Sequence, residues 1–207
     1  IACSQALLPY FLPEQIERYR TEYPAVQFQV LPRDRTEAEA ALYDFSADLA
    51  LVFEPVSMSD LQTVITVRQS IRAVMASNHP LAAKDVLRLR DCLEYPLALP
   101  TKPYGVRAVF DQAMARINQT ATPALESDSF EFLRMVTSRP DLISLQIDVG
   151  VPPDGTRERL VSRPIAPNDV ASGLLHLSYL RGRVLSVAAA KFATQVAQVL
   201  SDRYDPV

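Results

Sequence analysis

Apolar and polar positions change period twice in the first quarter of the chain. Ile1, Ala2 and Cys3 read as the end of a strand. Ser4 then stands where a helix cap belongs, and Leu8, Phe11, Leu12, Ile16, Tyr19 and Tyr23 recur at the three- and four-residue spacing of one helical face. Pro13 falls within that run, and a proline in a helix interior removes a backbone donor, so a late start or a bend is predicted there. Val26, Phe28 and Val30 alternate with Gln27 and Gln29, the two-residue period of a strand with one wetter face. Thr36 reads as the cap of an alanine-rich helix ending near Phe45. Residues 47–53 are apolar except for Asp48, the pattern of a strand covered on both faces of a parallel sheet. The order is βαβαβ, with right-handed crossovers.

The pattern then breaks. Residues 61–67 and 70–76 are strand-like runs joined by Arg68 and Gln69, with no helix between them, and are predicted to be antiparallel. Asn78-His79-Pro80 signals a turn, 86–93 a short helix and 96–99 a strand ended by Pro100. In the second βα alternation Thr101 or Pro103 opens a helix through Ile117, and 124–126 is extended. Ser129 caps 130–136, and 142–147 is again strand-like. Pro152-Pro153-Asp154-Gly155 is the strongest loop signal. Strands follow at 159–165 and 174–180, then a helix from about Leu185 to Arg203 with Val184, Val187, Ala188, Phe192, Val196 and Val199 as its apolar stripe. Two similar α/β lobes result, with the strand pair and a later strand crossing between them, and a cleft between the lobes as the expected site.

The 207 residues are 48% hydrophobic and 22% charged, ordinary for a folded domain and unlike a disordered or fibrous chain. With 21 basic and 24 acidic residues, the net charge of -3 leaves no global footprint for a polyanion. Two cysteines, Cys3 and Cys92, and two histidines, His79 and His176, make neither a disulfide framework nor a metal site, and a reducing cytoplasm suits them. No apolar run approaches the ~18 residues of a membrane-spanning helix, and no secretory signal opens the chain. A start without methionine reads as a fragment or a processed product.

Catalytic motifs are missing: there is no phosphate-binding glycine loop, no H-E-x-x-H, no G-x-S-x-G and no C-x-x-C, and only five glycines in all. His79 reads as a turn residue, His176 as a packed one and Cys3 as a small buried hydrophobe. Glu37 and Glu39 face different directions on their helix and read as solvated. No enzyme activity, cofactor or metal is expected. The positive signal is polar residues at helix starts. Ser4 follows the first strand, and Thr101 with Lys102 follows a strand of the second lobe, so that two helix N-termini would offer N–H groups to one cleft, a geometry suited to a small anion. Plain capping calls for the same residue types. Lys102 and Arg107 either add charge there or are solvated, and Arg157, Arg159 and Arg163 read as surface.

Taken in order, Leu8-Pro9, Tyr23-Pro24-Ala25-Val26, Ala47-Asp48-Leu49-Ala50-Leu51, Ser77-Asn78-His79-Pro80-Leu81-Ala82 and Leu185-Ser186 resemble the effector-binding domain of LysR-type transcriptional regulators from Ile1 to about Leu200. The resemblance implies a two-lobed, type II periplasmic-binding-protein-like fold, each lobe a mixed sheet flanked by helices. Lobe I would be 1–70 plus 177–207, and lobe II 71–176. It also implies a bacterial cytoplasmic regulator that takes a small polar or anionic effector between its lobes, forms a homodimer or homotetramer and touches no membrane. Promoter DNA would be reached only through a winged helix-turn-helix that precedes Ile1 and is absent from this chain. By the same resemblance Ser4, Thr101, Lys102, Phe53, Ser144 and Gln146 are the effector contacts. Ser138-Arg139-Pro140-Asp141 replaces the family's glycine-rich turn, and Leu142-Ile143-Ser144-Leu145-Gln146-Ile147 replaces its usual G-I-x-x-x-P pattern, so this part of the pocket floor departs from the family's. The alternatives on the same scaffold are a solute-binding protein feeding a transporter and a small enzyme.

Overall fold

In chain order the elements are β1 (Ala2–Cys3), α1 (Phe11–Glu22), β2 (Leu31–Pro32), α2 (Arg35–Tyr43), β3 (Ala50–Phe53), β4 (Leu61–Gln69), β5 (Ile71–Ala76), α3 (Leu89–Leu93), β6 (Leu97–Pro100), α4 (Gly105–Arg116), β7 (Leu125–Ser127), α5 (Phe130–Val136), β8 (Ile143–Ile147), β9 (Leu160–Pro164), β10 (Gly173–Leu180) and α6 (Val187–Arg203). The computed structural model describes residues 1–54, 60–153 and 159–207. Asp154 and Gly155 of the predicted loop, and Arg157, lie outside the described residues.

The chain divides into two compact units, Ile1–Gln69 with Leu174–Val207, and Ser70–Gly173. The first holds a five-stranded sheet in the order β2-β1-β3-β10-β4 and the second one in the order β7-β6-β8-β5-β9. In the first sheet β1 runs parallel to β2 and β3, and β10 antiparallel to β3. In the second β6 runs parallel to β7 and β8, and β5 antiparallel to β8 and β9. Both are mixed sheets flanked by helices. In each, an early strand, β1 or β6, lies second in the order with the next two parallel strands on either side of it.

The strand runs predicted to pair with one another do not. β4 and β5 belong to different sheets. Only Ser70 separates them, and one residue cannot reverse a chain when the common hairpin connection needs two. The stretch 26–30 is likewise no ladder: only Leu31–Pro32 pairs with β1, although Val26, Phe28 and Val30 stay half-buried while Gln27 and Gln29 stay exposed. This is an edge, and Pro32 brings no donor to it.

Helix starts follow capping chemistry more closely than apolar spacing. α1 begins at Phe11, which puts Pro13 in the first turn, where its missing N–H has no intrahelical acceptor to lose. α2 is capped by Asp34 rather than Thr36. The Asp34 carboxylate accepts from the Glu37 N–H at 2.9 Å while the Glu37 carboxylate accepts from the Asp34 N–H at 3.4 Å, a reciprocal box. Ser129 caps α5 and Ser186 caps α6. Val184 and Val187 stand 94% and 74% exposed, so the buried stripe of α6 is Phe192, Ala193, Val196, Val199 and Leu200.

Small side chains let α2 lie close on the first sheet: Ala38, Ala41 and Leu42 pack with Ala2, Ala47, Ala50, Val52 and Leu61. Elsewhere in that unit Tyr19, Phe28 and Phe192 meet edge to face, with ring centroids 5.0 to 5.7 Å apart, a geometry worth about 0.5–1.5 kcal/mol per pair beyond area burial. In the second unit Ile143, Leu145 and Ile147 are at most 1% exposed, and Phe110, Leu99 and Met75 are fully buried.

Candidate functional site

In open α/β sheets, ligand-binding crevices form beyond the carboxyl ends of parallel strands, where the connections leave in opposite directions. The first unit has such a point between β1 and β3, the second between β6 and β8. Ser4 and Phe53 stand at the first. Ser4 leaves β1 with its N–H donating to Leu51 O at 3.1 Å. Its hydroxyl accepts a long bond from the Ala6 N–H at 3.4 Å, opening a single 3-10 turn, Gln5–Leu7, before α1. Phe53 ends β3 and is 5% exposed. Glu54 follows with φ 45°, in the left-handed region. Its N–H donates to Leu174 O at 2.9 Å and its carboxylate accepts from the Leu174 N–H, so both groups fasten the end of β3 to the start of β10. A non-glycine residue held there costs on the order of 1–3 kcal/mol. Nothing in the sequence marks Glu54, because glutamate carries no signal for positive φ.

At the second point stand Thr101, Lys102 and Gln146. Thr101 is half-buried and does not cap the following helix. α4 begins at Gly105 with Tyr104 as its N-cap. Thr101 instead shapes the turn, its N–H donating to Ser127 O and its carbonyl accepting from the Tyr104 N–H, each at 3.2 Å. Turn and cap favour the same residue types, which is why the sequence pointed to a cap. Tyr104 donates to Asp128 O at 3.1 Å, with its ring edge-on to Phe130. Lys102 is exposed.

Ser144 and Gln146 share one face of β8. Ser144 is 6% exposed and Gln146 half-buried, its side-chain oxygen accepting from the Ile147 N–H at 3.1 Å. The register puts Arg72 of β5 opposite Gln146, and Val74 opposite both Ser144 and Ser162. Arg72 donates through Nε to Ser162 Oγ at 2.9 Å and through Nη1 to Asp148 Oδ1 at 3.1 Å. Arg72, Asp148 and Ser162 are polar residues that the sequence reading passed over. Their signal was a lone cation in an otherwise apolar strand, Ile71–Ala76.

Two predicted surface groups are buried. Arg107, 4% exposed, donates to Asp111 at 2.9 Å, Glu126 at 3.1 Å and Pro100 O at 3.1 Å, tying α4 to β6 and β7. It is therefore a structural tie and not a charge on offer. Glu39 is 1% exposed, whereas Glu37 is solvated. Arg159 is exposed, and Arg163 is half-buried, bonded to Ala82 O. Burial pushes the Cys3 and Cys92 thiols up to about 12, so neither is a thiolate at neutral pH. His79 caps a 3-10 turn through Nδ1, which accepts from the Leu81 N–H at 3.1 Å, and packs on Tyr95. His176 Nδ1 lies 3.0 Å from the Thr66 hydroxyl. Burial holds both histidines below their ordinary pKa. Among the described residues no group of histidine, cysteine, aspartate and glutamate could hold a metal ion, and no helix is long and apolar enough to cross a membrane.

The chain is similar to the HTH-type transcriptional regulator CysB of Burkholderia cenocepacia, 24% identical over 192 residues that cover 90% of this chain and 61% of CysB. It thus spans about three-fifths of the length of that curated relative. Solved structures share its fold, among them the following two. The CcmR regulatory domain of Synechocystis PCC6803, in complex with 2-PG, superposes with a TM-score of 0.79 at 19% identity, covering 98% of this chain and 96% of that one. The effector binding domain of QuiR, in complex with shikimate, does so with a TM-score of 0.77 at 17% identity and the same coverages. The architecture is accordingly the type II periplasmic-binding-protein-like fold. The family model for the LysR substrate binding domain matches residues 1–201, and with that match over nearly its whole length the chain belongs to the LysR substrate binding domain family.

Proposed function

We propose that this chain is the effector-sensing part of a bacterial LysR-type transcriptional regulator, taking a small polar or anionic molecule as its effector. The observation that carries this reading is the repeated strand order: Ser4 and Thr101 each follow directly the strand, β1 or β6, that lies second in its sheet between the next two parallel strands. Ser4 and Phe53 serve one lobe, and Thr101, Lys102, Ser144 and Gln146 the other. QuiR, whose effector binding domain shares the fold, is in complex with shikimate, a hydroxylated carboxylate of this class. The mechanism needs no bond to be made or broken. An effector that binds one arrangement of a homodimer or homotetramer about tenfold better than another biases the equilibrium by about 1.4 kcal/mol per site. A DNA-binding domain outside this chain passes the bias to promoter DNA, which places the regulator in the cytoplasm.

A thermal-shift screen with organic acids, aromatic acids, amino acids and sugars tests the reading, because a ligand that binds only the folded state raises the melting temperature. A compound that stabilises the chain is expected to lose about 0.5–2 kcal/mol of affinity in Ser4→Ala and in Thr101→Val, with the fold intact. Full affinity in both variants removes these two residues from the site.

A further inference from the structure

One face of the second unit's sheet carries more hydrogen-bond donors than the chain uses. Ile143, Leu145 and Ile147 turn their side chains to the opposite, fully buried face of β8. Ser144 and Gln146 share the other face with Arg72 and Ser162, because directly opposed residues of antiparallel strands lie on one side of a sheet. Ser144 and Ser162 are only 6% and 2% exposed, and Ser162 Oγ is taken by Arg72. The Arg72 side chain keeps 19% of its surface open. A guanidinium has five N–H donors in a planar fork. Arg72 commits Nε to Ser162 Oγ, one Nη1 proton to Asp148, and one Nη2 proton to a 3.5 Å contact with Ser162 O. The remaining Nη1 and Nη2 protons have no acceptor among the described residues. Neither do the side-chain amide of Gln146, whose oxygen is already used by Ile147, and the hydroxyl of Ser144.

A partly buried surface with surplus donors and one half-paired cation calls for a ligand rich in acceptors, and the planar fork of arginine matches a carboxylate, sulfate or phosphate. Asp148 supplies such an oxygen from within the chain. It sits just beyond β8, at the start of a 3-10 turn, its N–H donating to Ser70 O and its side chain 29% exposed. Building on the effector-sensing reading above, we propose that Arg72 is an oxyanion-binding residue: a small anion is taken by its Nη atoms, with Ser144 and Gln146 donating alongside, in competition with the carboxylate of Asp148. Arg72 then decides for anionic over neutral ligands, and Asp148 sets how strongly an anion must bind to enter.

The test titrates the chain and its Arg72→Gln, Arg72→Lys and Asp148→Asn variants with sodium shikimate, benzoate, sulfate and phosphate at ionic strength held constant with sodium chloride. Methyl shikimate, benzamide and glycerol are the neutral counterparts. At least one anion is expected to bind the wild-type chain while its counterpart does not, which also tells carboxylate from inorganic oxyanion. Its affinity is expected to fall about tenfold or more in Arg72→Gln, less in Arg72→Lys, and to rise about threefold or more in Asp148→Asn. The rise is the decisive outcome, since a purely structural ion pair predicts a loss in both Arg72→Gln and Asp148→Asn, and it stays readable if Arg72→Gln does not fold. Equal affinity in wild type and Arg72→Gln, or weakening in Asp148→Asn, overturns the proposal. Neutral compounds that bind while no anion binds wild type or Asp148→Asn overturn it too, and leave the effector-sensing reading intact.

Discussion

The two units repeat one strand order and fill the same position in it differently. At the end of β1 the first unit offers no charge: the Ser4 hydroxyl accepts a long bond from the 3-10 turn and keeps its own proton to donate, and Glu54 is fastened to Leu174 through both its N–H and its carboxylate. At the end of β6 and β8 the second unit offers side chains: Thr101, Lys102, Gln146, and behind them Arg72 and Ser144. The shared strand order thus repeats one crevice position in both units, while the charged side chains near it belong to the second unit.

That contrast can be broken most severely at Arg107. Arg107→Ala strands Glu126 and Asp111 and releases Pro100 O next to Thr101. A loss of about 3 kcal/mol in urea unfolding is expected, at the low end for a buried arginine because both carboxylates are part-exposed. Acidification comes next. His79 in the second unit and His176 in the first both titrate below their ordinary value because burial disfavours the cation. Above pH ~6.5 both are neutral folded and unfolded; below it the unfolded chain gains protons first, so stability falls by up to about 1.4 kcal/mol per pH unit for each histidine until the folded group titrates. Unfolding at pH 7.5 and 5.5 is expected to show part of the drop vanish in His79→Asn, which keeps a capping acceptor, and part in His176→Gln. Helix caps follow: Asp34→Ala in the first unit and Ser129→Ala in the second should each cost about 1 kcal/mol, measured in the same way. Smallest are the two candidate contacts. Ser4→Ala and Thr101→Val should change melting by less than about 0.5 kcal/mol, so that any larger loss of ligand affinity belongs to the site.

Much of the fold was legible because apolar runs of strand length and capping residues leave a local mark. The strand-like runs became β4, β5, β8, β9 and β10, and Ser129 and Ser186 cap the helices they precede, whereas the alternation at 26–30 formed no ladder. Partnership was not legible: β4 and β5 are neighbours in the chain and strangers in the sheets, since a strand's own pattern says nothing of which edge it joins. Buried charge was hidden for the same reason. Arg107 reads as solvated until Glu126, on another strand, is placed beside it. Of the site, Ser4, Thr101 and Gln146 could be placed at strand ends from their neighbours in sequence. Arg72 could not, because Asp148 and Ser162 come from 76 and 90 residues away.

The discontinuity of the first unit bears on how the chain is made. Its sheet needs β10 between β3 and β4, so during synthesis residues 1–69 must wait with an unfilled place in their sheet while the whole of Ser70–Gly173 emerges. The second unit is continuous and has all five of its strands once β9 has left the ribosome. It is the part able to fold first, and the first unit closes only when Leu174–Val207 arrive to join its two halves.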